Sequence, residues 1–139
     1  MANVVPVTAS VLKSDSGQKL EGIAGETITA GQVLYKSSAD QKLYKAEAND
    51  TLAKAAVVGV ALNGASAGQP VDYVNKDKEL ALGSATLVVG TVYVLSATAG
   101  AICPVDDLVT TDRVTVIGVG VAANKIHLAI AATVAEIPA

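Results

Sequence analysis

Residues 30–46, AGQVLYKSSADQKLYKA, and residues 89–105, VGTVYVLSATAGAICPV, follow one plan. Gly31 falls on Gly90, 59 positions on, and at that same displacement Ser37 falls on Ser96 and Leu43 on Ile102. Farther along, VVGV at 57–60 falls on VIGV at 116–119. A register held over roughly forty residues with little or no gap marks an internal repeat. The expectation is a duplicated β unit with copies at about 24–62 and 83–121.

Each copy reads as a glycine-marked turn, a strand (33–36; 92–96), a hairpin tip (38–41; 98–100) and a return strand. A polar connector then leads to a long apolar strand (55–62; 114–121). That last strand lacks alternation, as expected of a strand covered on both faces, and should lie at the centre of the fold. Gly59 and Gly118 interrupt it at equivalent positions, which predicts a bulge or a close approach, here read as packing of the two copies. The run NGASAGQP at 63–70 reads as a loop. Further strands are expected near 71–74 and 79–82, and Ile126, Leu128 and Ile130 alternate in the last one. One short helix is expected at 50–56, capped by Asp50.

Composition agrees with sheet. The 139 residues suit one domain, and 51% hydrophobic with 17% charged residues suits a folded chain. There is no Phe and no Trp, so the core must be Val, Ala, Leu and Ile, and β-branched residues pack better on sheets than in helices. The class is all-β, a sandwich or a barrel. A net charge of −3 with interspersed signs offers no basic face for phosphates, and the four tyrosines read as too scattered for base stacking. No nucleic-acid partner is expected. The first residues lack a basic region leading into an apolar stretch, and no window reaches a membrane span. No membrane partner is expected, and the chain should be made and kept in the cytosol unless a partner carries it elsewhere.

Residues 1–22 lie outside both copies and read as an N-terminal arm able to pair with a sheet edge of a neighbouring chain; 23–139 form the β domain. Chemistry is sparse. His127 is the only histidine, set opposite Ile126 and Leu128, and cannot form a catalytic set alone. Cys103, the only cysteine, aligns with Tyr44 and reads as a small buried apolar residue. Asp106 and Asp107 read as a solvated turn, since a calcium loop needs spaced oxygen ligands. No glycine-rich segment has a phosphate-binding pattern. The expectation is no catalytic residue, no metal and no cofactor.

GETITAGQVLYKSSADQK at 25–42 resembles the frame of biotinyl and lipoyl carrier domains, whose hairpin tip presents a modified lysine. Here Lys42 stands in Gln41-Lys42-Leu43, without the flanking residues those carriers use, and Ala101 takes the aligned place in the second copy. Taken together, MANVVPVTASVL, EGIAGETITAGQVLY, VVGVALNGASAGQPV and SATAGAICPV are similar to the small accessory head proteins of tailed bacteriophages, the capsid decoration or cement proteins. That resemblance implies a non-enzymatic virion protein on the capsid surface, binding the major capsid protein and strengthening the shell. It also implies a homo-oligomer, a trimer first and a dimer second. Ala2, Asn3, Val4, Val5, Pro6 and Val7 would be the capsid contacts. Two alternatives stand beside it: a carrier domain, and a head-fibre or tail-fibre module recognising a host glycan. The latter calls for an exposed aromatic and carboxylate cluster.

Overall fold

In a computed structural model of the chain, residues 11–48, 53–82, 87–107 and 114–130 are described. They form ten strands: β1 (Lys19–Ile23), β2 (Val33–Lys36), β3 (Leu43–Lys45), β4 (Val57–Ala61), β5 (Pro70–Val74), β6 (Lys76–Ala81), β7 (Val92–Leu95), β8 (Ile102–Pro104), β9 (Val116–Ala122) and β10 (Lys125–Ala129). Two antiparallel sheets result, ordered β1-β5-β4-β2-β3 and β6-β10-β9-β7-β8. The orders are the same, strand for strand. The architecture is a β-sandwich and not a barrel. β4 and β9 are the middle strands, as their apolar runs predict.

The likeness of the halves extends to register. Val33 opposes Val60 and Leu34 opposes Gly59 in the first sheet, while Val92 opposes Val119 and Tyr93 opposes Gly118 in the second. Both ladders slip at the next residue, between Leu34 and Tyr35 and between Tyr93 and Val94. The turns match too. Gly31 and Gly90 have φ of 91° and 85°, and Gln41 at 61° stands where Gly100 has 78°. Duplication of one five-stranded unit accounts for all of this, and the unit is longer than the sequence suggests, because β1 and β6 are its first strands.

The two sheets stack the same way up. Val33, Val60 and Val74 of the first sheet share a core with Leu80, Tyr93, Leu95, Ile117, Ile126 and Leu128 of the second. The residues matching Tyr93, Ile102 and Ile117 are Leu34, Leu43 and Val58, and these point to the opposite side of the first sheet. There Ala24, Ile28 and Ala65, from the loops before β2 and β5, cover them in a second core. One face of the first unit thus packs on the other face of the second. Backbone bonds join them: Val33 N–H donates to Gly100 O at 2.9 Å, Gly100 N–H to Ala46 O at 2.7 Å and Ala48 N–H to Ser96 O at 2.9 Å.

Three expectations change. In β9, Ile117 is buried but Val119 and Val121 are 37% and 40% exposed, so this strand is not covered on both faces along its length, although Val94 and Cys103 of the neighbouring strands are buried. Gly59 and Gly118 are needed for close approach, but to the adjacent strand of their own sheet: a Cβ on Gly118 would lie 2.1 Å from His127 O, and one on Gly59 would lie 2.7 Å from Val74 O. Of the helix expected at 50–56, the described part is a 3-10 turn, Ala53–Ala55, and residues 50–52 lie outside the described residues.

The segment 11–22, assigned above to the arm, runs along both sheets. Leu12 exchanges two backbone hydrogen bonds of 3.0 Å with Ala81 on β6, and Gln18 N–H donates to Lys76 O at 3.0 Å. Residues 19–23 then continue as β1 against β5. Because only Asn75 separates β5 from β6, this antiparallel ribbon stitches the two sheets at one edge. The sheet edge it covers belongs to its own chain, and the physical reason is Asp77, described next.

Candidate functional site

Asp77 on β6 is only 2% exposed. Its carboxylate accepts hydrogen bonds from Ser14 N–H at 2.7 Å, from Glu79 N–H at 3.0 Å, from Ser16 Oγ at 3.0 Å and from Ser14 Oγ. Burial alone pulls its pKa upward, but the bonds from Ser14, Glu79 and Ser16 outweigh it, and the net position is below the ordinary carboxylate value. A Cβ on Gly17 would lie 2.7 Å from Oδ2, so glycine lets the loop close onto the carboxylate. The polar run KSDSGQK is therefore a clasp that roots the N-terminal segment on β6. The predicted capsid contacts Ala2, Asn3, Val4, Val5, Pro6 and Val7 lie upstream of it, outside the described residues.

A second cluster sits on the β2–β3 hairpin. The register places Tyr35 opposite Tyr44, and their rings stack with centroids 5.9 Å apart and an interplanar angle of 29°. Tyr44 Oη donates to Asp40 Oδ2 at 2.6 Å and Lys42 N–H donates to Asp40 Oδ1 at 3.0 Å. The phenol bond, then the amide bond, holds the Asp40 carboxyl below its ordinary value, and the same phenol bond raises Tyr44. Gly25 gives the ring its seat, since a Cβ there would lie 2.2 Å from it. Lys45 N–H donates to Glu26 Oε2 at 2.9 Å beside it. An aromatic and carboxylate cluster is thus present, although the tyrosines read as scattered along the chain. The signal that could have found it was the hairpin tip: a turn at 38–41 pairs residue 35 with residue 44. In chemical terms, ring faces accept the C–H surfaces of a sugar, and the carboxylate retains acceptor capacity beyond its two bonds for hydroxyl groups.

The other residues singled out from sequence are not brought together. Lys42 stands at the neck of its hairpin, where its carbonyl accepts from Ser37 N–H at 2.9 Å, while a carrier presents its lysine at the tip. His127 is exposed on β10 between buried Ile126 and Leu128, as the alternation predicts. Cys103 is 2% exposed and forms no disulfide. Asp106 and Asp107 lie in the 3-10 turn Val105–Asp107. Among the described residues no group of His, Cys, Asp or Glu could hold a metal ion, and no helix is long and apolar enough to cross a membrane.

No family model matches the chain, and no curated protein matches it. Among solved structures, the fold is similar to the N base of the head fibre protein gp8.5 of bacteriophage phi29, with a TM-score of 0.53 at 15% sequence identity. The match covers 86% of this chain and 94% of that one. It establishes that the fold described above is one that a phage head fibre base also adopts.

Proposed function

We propose that this chain is a structural protein of a tailed-phage head, bound to the outside of the shell and strengthening it without catalysis. The observation that carries the proposal is the likeness of nearly the whole fold to a head fibre base. The clasp at Asp77 supports it, because it anchors Ser14 and Ser16, a few residues downstream of the assigned contacts, on β6. Contact with the major capsid protein is assigned to Ala2, Asn3, Val4, Val5, Pro6 and Val7, an apolar run able to add to a sheet edge on the shell. Many equal weak contacts repeated over a lattice make such attachment firm without aromatic hot spots. The test mixes the protein with undecorated heads of the cognate capsid protein. Co-sedimentation at a fixed stoichiometry is expected, and loss of it on deleting residues 1–10, with the fold intact by circular dichroism. An intact chain that stays in the supernatant overturns the proposal.

A second reading, a head-fibre module that recognises a host glycan, is favoured by the Tyr35, Tyr44 and Asp40 cluster. Glycan-array binding that disappears in the Tyr35→Ala/Tyr44→Ala variant would support it. An array with no binder removes it.

A further inference from the structure

Beside the clasp, β6 and β10 border an open cavity of about 390 Å³. Its wall includes Lys76 and Lys78 of β6, His127 and Ala129 of β10, and the clasp residues Ser16 and Asp77. The register explains why the cations meet. Leu80 opposes Ile126 and Asp77 opposes Leu128, so Lys78 and Glu79 together face the single residue His127 across a β-bulge, while Lys76 opposes Ala129. An alanine opposite Lys76 leaves room that a larger side chain would fill. Lys76, Lys78 and His127 are exposed, and among the described residues their side chains make no ion pair and no hydrogen bond. In the first sheet, Lys19 of β1 finds a carboxylate on its neighbouring strand, Asp72 of β5, at 3.7 Å. The strand β10, KIHLA, has no acid to offer. Asp77 is the only carboxylate lining the cavity among the described residues. Its oxygens already accept four hydrogen bonds, from Ser14 N–H and Oγ, Ser16 Oγ and Glu79 N–H, which fills the acceptor sites a carboxylate has. Glu79 and Asp15 line a neighbouring cavity that Lys78 also borders. The wall thus presents ammonium and imidazole groups, and no side-chain carboxylate with acceptor capacity left.

We infer that this cavity binds a tetrahedral oxyanion, a phosphoryl or sulfuryl group on a small organic carrier. Lys76, Lys78 and protonated His127 bring three charged donor groups from two strands, which suits the three terminal oxygens of such a group better than the two of a carboxylate. The cavity is larger than a bare oxyanion, and Leu128 and Ala129 line part of it, so a carrier of sugar size has room. The charge count makes His127 decisive. Lys76 and Lys78 balance Asp77 and the nearby Glu79, and the net attraction then comes from the imidazolium. The groups that face His127 are Lys78 and Glu79 on β6 and, on β9, Val119, which carries no charge; Lys125 stands two residues away on its own strand. Histidine side chains change charge between about pH 5 and 8, so binding strengthens as pH falls through that range.

The site does not depend on head attachment, and an NMR titration of the isotope-labelled full-length chain tests it. Sulfate is the probe, because its charge is constant over the range in which histidine titrates, and sodium chloride at equal ionic strength is the control. Saturable shifts are expected at Lys76, Lys78 and His127, with sulfate bound at least about fivefold more tightly at low than at high pH within that range. Lys76→Ala/Lys78→Ala should weaken binding at least about tenfold and leave the melting temperature unchanged, since both side chains are exposed. His127→Gln should remove the pH dependence. Glycerol phosphate should displace sulfate from the same residues and bind more tightly, and acetate should bind more weakly. Shifts that never saturate, acetate bound as tightly as sulfate, glycerol phosphate that fails to displace it, or a wild-type pH dependence in His127→Gln overturns the inference. So does undiminished binding by a folded Lys76→Ala/Lys78→Ala variant.

Discussion

Asp77 shows how one side chain can decide where a segment lies. Two serines two residues apart and the glycine after them have no obvious purpose in the run KSDSGQK, until a buried carboxylate 63 positions from Ser14 gathers their donors. Hydrogen bonds to a charged acceptor are worth about 1.5–3 kcal/mol each, set against the cost of burying the charge. Because the folded pKa is depressed, the stability it confers is complete above the ordinary aspartate range and is lost as pH falls through the folded value. Asp77→Asn should therefore lower stability by about 1–3 kcal/mol at pH 7 and flatten the acid limb of a denaturation midpoint against pH. If the variant keeps the wild-type acid limb, the clasp is not what titrates. The partner serines are visible in the sequence, but a contact across 63 positions is not.

At the level of strands, the glycines inside β4 and β9 have a sharper meaning than their spacing suggests. Glycine in an apolar strand signals a bulge or a close approach, and that much is legible. Which neighbour comes close is not, and it turns out to be the adjacent strand rather than the other copy. Gly118→Ala would press a methyl against a backbone carbonyl 2.1 Å away, which no rotamer can relieve. It should cost at least about 3 kcal/mol. Gly68→Ala, at φ 87° but with nothing within 4 Å, should cost only about 1 kcal/mol, from left-handed backbone strain alone. Chemical denaturation of the two variants checks this order, and equal losses would refute the account. The Tyr35–Tyr44 pair has the same moral: the hairpin tip determines the register, and the register makes neighbours of residues that look scattered along the chain.

For the molecule as a whole, the shared core between the sheets implies one cooperative unit. Ile117 sits on the middle strand of the second sheet, 1% exposed in that core. Ile117→Ala should lower stability by about 2–5 kcal/mol and leave a single calorimetric transition with van't Hoff and measured enthalpies equal. Two separated transitions would mean that the sheets fold apart. The aliphatic, β-branched composition and the repeated glycine and valine landmarks were enough to specify sheet, duplication, the central strands and the hairpins, because strand periodicity, turn chemistry and repeat register act locally along the chain. How the copies stack, which of the matching valines stay exposed, and that residues 11–18 close an edge of their own sheet were left to the tertiary structure. Equivalent residues such as Val33 and Val92 hold the same place in the repeat, two positions after a turn glycine and first in their strand. Only the placing of one sheet on the other decides which of them meets water.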